Sequence, residues 1–187
     1  MLCLGFILLL VLESSLGAAF PRDALKKSCS LSKYQFLAPR ELDAVQKMKD
    51  QFKNAMLLLD LKCHTKLFHR NWNTAELSVP DRVMLVEAEL DLATAMLELP
   101  AGSPLALFAK THQRPLAFLT QAQEDLRSCM ATENPAHQLS RKLRHWLQKL
   151  ETAKQTETTG CLGASAILHI SQVLHDLRCA ALQERCT

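Results

Sequence analysis

The chain has 187 residues, 48% of them hydrophobic and only 5% aromatic, with 22 Lys and Arg against 19 Asp and Glu for a net charge of +3. A mildly basic balance spread along the chain calls for no nucleic-acid partner, and the length suits one domain with a real core. Leu, Ala, Gln, Lys and Glu dominate, all good helix formers, and neither an internal repeat nor a low-complexity run is present.

Leu2 to Leu12 is apolar apart from Cys3 and Gly5, the length of a signal-peptide core. Gly17-Ala18-Ala19 places small residues for cleavage before Phe20. Residues 1–19 therefore read as a signal peptide and 20–187 as a single helical domain that is secreted and extracellular. A membrane span needs roughly 20 apolar residues, and no later stretch supplies them, so no membrane insertion is expected.

Prolines and turn residues divide the rest into helical segments. Pro39 opens a predicted helix to about Lys62, with Val45, Phe52, Met56 and Leu59 on one stripe and Leu42 at its edge. Arg40, Asp43, Lys47, Asp50, Gln51 and Asn54 face away from it. A loop through Cys63, Phe68 and Trp72 ends at Pro80, and a second helix covers about Asp81 to Leu99, burying Val86, Leu90, Ala93 and Leu97. Ser103-Pro104 signals the start of a segment reaching Met130, which Pro115 should kink or divide. Asn134-Pro135 repeats that signal for a helix carrying Leu139, Leu143, Trp146, Leu147 and Leu150. A polar linker, Glu151 to Thr159, precedes the last helix, Gly160 to about Leu182. On it Leu162, Ala166, Ile170, Val173 and Leu177 share the core stripe, while Ala164, Leu168, Ser171 and His175 lie opposite.

Behind the leader six cysteines remain: Cys29, Cys63, Cys129, Cys161, Cys179 and Cys186. An even number in a secreted chain argues for disulfides, though fifteen pairings stay open. Five or so helices with long connections and no alternating run fit for a strand make the fold class all-α, a helical bundle.

The chain's particular words narrow this further. Lys27-Ser28-Cys29, Leu67-Phe68 with Trp72 beyond, Val86-Glu87-Ala88-Glu89-Leu90 and Arg114-Pro115-Leu116 resemble the interferon lambda family, the type III interferons. Asp125-Leu126-Arg127 before Cys129, Leu143-Arg144-His145-Trp146-Leu147, Gly160-Cys161-Leu162, Ala164-Ser165 and Asp176-Leu177-Arg178-Cys179 extend the match, in order, from about Lys26 to the end. The resemblance implies a class II cytokine fold with three disulfides, Cys29–Cys129, Cys63–Cys161 and Cys179–Cys186. It implies a monomer that bridges two receptor chains, the private interferon-lambda receptor and the shared interleukin-10 receptor beta chain. Janus kinases brought together inside the cell would then drive STAT-dependent antiviral genes. By the same resemblance the last helix contacts the private receptor, with Leu168 standing where Phe is common, Ser171 and His175 beside it, and Lys47 and Asp50 on the outward face of the first helix. The shared chain is expected to meet the first helix and the segment from Pro104 to Met130. Two departures from the family touch this face, Gly163 in place of a common Glu and Ser171 in place of a second Phe, and both are expected to weaken receptor binding.

Chemical alternatives find little support. His169 and His175 fall on different helix faces, and no His-Glu-x-x-His motif exists. Ser165 lacks the second glycine of a nucleophile elbow, the cysteines lack Cys-x-x-Cys pairing, and Glu87 and Glu89 diverge on a helix. No catalytic residue, metal or cofactor is therefore expected. Arg141, Lys142, Arg144, His145 and Lys149 cluster around Trp146; heparan sulfate or another acidic polymer is the alternative they offer, while the sequence favours the plainer reading of a solvated helix face. A lipid carrier would also have amphipathic helices, but should release apolar surface on opening where a bridged cytokine stays closed.

Overall fold

The computed structural model of the chain describes residues 30–58, 63, 66–98, 112–132 and 137–186. Six α-helices run through them: α1 Pro39–Leu58, α2 Val79–Leu97, α3 Gln113–Thr132, α4 Arg141–Thr156, α5 Thr159–Leu168 and α6 Ile170–Leu182. Single 3-10 turns occupy Ser32–Tyr34, Thr74–Glu76 and Gln183–Arg185, and no strand occurs among the described residues. The architecture is the expected all-α bundle. The leader, Cys29, and the Ser103-Pro104 and Asn134-Pro135 signals lie outside the described residues.

α2 is the axis. Twelve of its nineteen residues are buried, Asp81, Arg82, Glu89 and Thr94 among them, so it is covered all round rather than along a one-sided stripe, and it packs against α3, α5 and α6. α4 is the opposite case: it buries only Leu143, Trp146 and Leu150, half-buries Leu147 and Ala153 against the core, and shows the rest of its surface to water. The core stripe of α1 is as expected at Val45, Phe52 and Met56, with Met48 completing it at 0% exposure. Leu162, Ala166, Ile170, Val173 and Leu177 are all buried.

Helix starts follow their caps. Ser78 accepts from Asp81 N at 3.4 Å, Ser140 from Leu143 N at 3.3 Å and Thr158 from Cys161 N at 3.2 Å. Each cap stabilises its helix by about 1 kcal/mol.

Four expectations about the helices need correction. α4 begins at Arg141, because the preceding residues wrap around buried Asp81, which holds Ser140 N at 3.0 Å and His137 Nε2 at 2.9 Å. The polar linker shrinks to Glu157-Thr158: residues 151–156 are helical, and their polarity belongs to the exposed face of α4. Pro115 kinks nothing in α3, since it sits in the first turn, where the N–H it lacks would have no helical partner. The last helix is two helices, broken at His169.

Candidate functional site

α5 and α6 were one helix by pattern, and the break between them decides what each presents. His169 donates Nδ1–H to the Ser165 carbonyl at 2.8 Å and stacks on Phe68, ring centres 5.0 Å apart and nearly parallel, with His69 edge-on at 5.9 Å. The 66–70 segment is thus wedged against the break.

The break divides the outward face expected from the 100° rule. Ser171 and His175, on α6, are exposed. Ala164, on α5, is 1% exposed, and Leu168 is half-buried and packed on the core. The whole run Leu162 to Ile167 is buried, because Gly163, Ala164, Ser165 and Ala166 are small enough to let α5 sink between its neighbours. Gly163 therefore does not lie on an exposed face. A Cβ there would stand 2.5 Å from Met96 Cβ and 3.0 Å from the Leu92 carbonyl oxygen, so the glycine sets how closely α5 approaches α2. Gly163 is thus a packing residue, not part of an exposed receptor face.

On α6, Ser171 faces α1 across a shallow groove. Lys49 Nζ donates to Ser171 Oγ at 3.1 Å, and Gln46 Nε2 donates to Asp50 Oδ1 at 3.0 Å. Gln46 Oε1 lies 3.5 Å from Ser171 Oγ, so one polar chain joins Ser171 to Asp50. Leu42, Asp43 and Gln46 line one wall of the groove, Ser171, His175 and Arg178 the other. Lys47 is exposed but lies a further ~100° round α1 from Gln46. The structure thus gathers Asp50, Ser171 and His175, sets Lys47 off to the side, and half-buries Leu168. At the end of the groove stands Phe36, 82% exposed, which the sequence reading missed. An aromatic ring three residues before the first helix was the available signal.

A second groove opens where α1 meets α3. Arg40, Glu41, Arg114, Phe118 and Gln121 line it together with Phe36. Arg114 clamps Glu41 at 2.6 Å, and the guanidinium holds the Glu41 carboxyl below its ordinary range. Tyr34 lies edge-on to Phe118 and donates to Asp125 at 2.7 Å. Burial, then that bond, pushes the phenol well above its usual range.

Under the first groove, the inner side of α6 carries charge, which no apolar stripe could announce. Asp176 accepts from Thr74 Oγ1 at 2.6 Å and pairs with Arg70, whose other nitrogen is 3.0 Å from Glu89 on α2. The Arg70 guanidinium also lies over the Trp72 ring at 4.8 Å. The Arg70–Glu89 approach lacks hydrogen-bond geometry, leaving both Glu89 oxygens without a donor. Burial first, then Asp176, drives the Glu89 carboxyl far above its ordinary range. Nearby, burial raises the Asp81 pKa, but bonds from Ser140 and His137 outweigh it and hold the carboxyl low. Arg82 is buried as well and donates to the carbonyls of Leu77, Ala75 and Gln183.

Two disulfides tie these parts. Cys63 bridges to Cys161 at the start of α5, and Cys179 on α6 to Cys186. Cys129 is also disulfide-bonded, while its expected partner Cys29 lies outside the described residues. Among the described residues no cluster of His, Cys, Asp or Glu could hold a metal, and no helix is long and apolar enough to cross a membrane.

A family model described as Interleukin-28A matches residues 26–183. The chain is 64% identical over 189 aligned positions to interferon lambda-3 of Gallus gallus, covering 100% of both proteins. The chain belongs to the interferon lambda family. Interferon lambda-2 of Mus musculus is 34% identical over 86% of this chain and 83% of its own length. Interferon lambda-1 of Homo sapiens is 30% identical over 94% and 90%. The chain is thus a type III interferon, a cytokine, and an antiviral role follows from its family.

Proposed function

We propose that this interferon lambda is secreted and signals by holding two receptor chains at once, performing no chemistry of its own. The private interferon-lambda receptor would take the α1/α6 groove, meeting Asp50, Ser171 and His175, with Leu168 and Lys47 at its margins. The interleukin-10 receptor beta chain would take the α1/α3 groove. Janus kinases joined in this way would phosphorylate STAT proteins. The observation that carries the reading is Phe36, 82% exposed and lining both grooves. A large ring held in water beside polar walls is the type of anchor that truncation to Ala commonly costs at least about 2 kcal/mol.

The test is surface-captured binding of the refolded protein from Phe20 to Thr187 to each receptor ectodomain from the same species. Wild-type protein should bind both. Phe36→Ala should weaken at least one by tenfold or more, about 1.4 kcal/mol. Ser171→Glu should weaken only the private chain. Loss at neither chain, from variants with wild-type circular dichroism, would move both interfaces elsewhere.

A further inference from the structure

We infer that the groove between residues 66–76 and α4 is a docking track for a linear sulfated polysaccharide. Two shallow grooves join there, both lined by His145 and Gln148. Arg141, Lys142 and Arg144 border one, Lys66 and Lys149 the other, and all five are exposed. Among the described residues the only carboxylates lining them are Glu76 and Glu157, and Glu76 is already occupied by Lys142. Among the described residues no carboxylate lies in ion-pair range of Lys66, Arg141, Arg144 or Lys149. Four cations are thus left without an internal counter-charge along one track.

Their spacing is regular. Arg141, His145 and Lys149 are four residues apart, so they repeat about every 6 Å down one side of α4. Lys66 faces this row because Trp146 Nε1 donates to the Leu67 carbonyl at 3.1 Å, and the Cys63–Cys161 bridge ties down the chain just before it. The cations stand on a helix and a pinned segment, so little order remains to be imposed on the backbone when a polyanion binds. Gln148, Thr152 and Thr156, exposed along the same track, suit sugar hydroxyls.

The same geometry argues against nucleic acid. Single-strand binders offer aromatic faces for base stacking. Here Trp72, the one Phe, Tyr or Trp lining the track among the described residues, is half-buried with Arg70 over its ring. The track shares no lining residue with the α1/α6 or α1/α3 grooves, so polysaccharide and receptors could be held together.

The experiment is heparin binding by the full mature chain across a salt series. A Lys66→Gln/Arg141→Gln/Lys149→Gln variant is compared with Arg40→Gln/Lys47→Gln/Lys53→Gln, which loses the same charge from exposed positions on α1. Wild type should bind at physiological salt. The track variant should bind at least tenfold more weakly, with its dependence of log Kd on log salt flattened by about 1 per charge removed. The α1 variant should stay within about twofold, and Lys149→Arg should bind as wild type. Circular dichroism of each protein reads folding separately. Equal loss in both triple variants would reduce the effect to net charge and overturn the proposal, as would failure of wild type to bind. Tighter binding to single-stranded polydeoxyadenylate than to heparin, or undiminished binding to desulfated heparin, would overturn the choice of ligand.

Discussion

α5 and α6 follow one another with a single residue between them, yet they do different work. α5 is buried from Leu162 to Ile167 because Gly163 to Ala166 are small; its position is set by shape. α6 is two-faced. Asp176 fixes its inner side through Arg70 and Thr74, while Ser171 and His175 are left to solvent on the outer side. One helix is held by contact and leaves only its two ends, with half-buried Leu168 at the second, toward solvent; the other is held by a charge and displays a surface. Each also carries one end of a disulfide, α5 a bridge across 98 residues and α6 a bridge across 7.

The largest effect should come from removing the charge. Asp176→Ala takes from Arg70 its ionised partner and from Thr74 its acceptor, leaving only Glu89 to ionise against the guanidinium, and should cost up to about 3–5 kcal/mol in denaturant unfolding, the ordinary result of breaking a buried pair. A loss under about 1 kcal/mol would mean that α6 is held by its apolar stripe alone. The bridges sharpen the same contrast. In the chain-entropy treatment Cys63→Ser/Cys161→Ser should cost up to about 4.7 kcal/mol and Cys179→Ser/Cys186→Ser about 2.4 kcal/mol. Equal losses would show that the short bridge does more than order the tail after α6.

Gly163→Ala tests packing by shape. At an open helix position this exchange gains about 1 kcal/mol. Against Met96 it should instead cost about 1–3 kcal/mol, as overpacking does. A gain in thermal stability would show that α2 and α5 separate freely. Glu89 adds a pH signature. Its folded pKa is raised, so its contribution is complete below the ordinary carboxylate range and is lost as pH rises through the raised value. Glu41, Glu76, Asp81 and Asp125 have lowered pKa values and act in the opposite sense, losing their contribution as pH falls. Glu89→Gln should therefore raise melting temperature at pH 7.5 relative to pH 5.5, compared with wild type. An unchanged difference would mean that Glu89 is ionised in the folded protein.

Periodicity carried the sequence reading well wherever one stripe faced one core. The buried sets of α1 and α6 were legible for that reason. It failed where burial was not one-sided. Ala164 and Leu168 of α5 fell on the outer face by the 100° rule and Ala166 on the core stripe, although Gly-Ala-Ser-Ala is what close approach on all sides requires. Charge was hidden for a different reason. Glu89 and Asp176 are ordinary helix-surface residues by type, and only the fold brings Arg70 between them from a loop 19 residues before Glu89. The polar stretch after Glu151 was misread because a solvated helix face and a linker share a composition. Of the candidate site, Ser171, His175 and Asp50 were placed together by family likeness, and Phe36 was missed because its exposure depends on the turn at Ser32–Tyr34 leaving it outside the core.

The smallest stability effect belongs to the displayed side of α6, and its smallness is what makes it informative. Ser171→Ala removes one exposed hydroxyl that meets Lys49 and Gln46, and His175 is exposed on the next turn. Substitutions there should stay within about 0.5 kcal/mol of wild-type stability, as surface changes do. Lys49 and Gln46 keep water as an alternative partner, so neither loses its partner in the way Arg70 would. If the α1/α6 groove takes the private receptor, His175→Ala should nonetheless weaken that binding severalfold while leaving the melting temperature in place. Asp176→Ala should do the reverse at low temperature, lowering stability first and binding only through the fraction unfolded. Should His175→Ala lower stability as much as Asp176→Ala, the two sides of α6 would not be separable. The helix would then be a structural element throughout, with its receptor surface on α1 and the Phe36 turn.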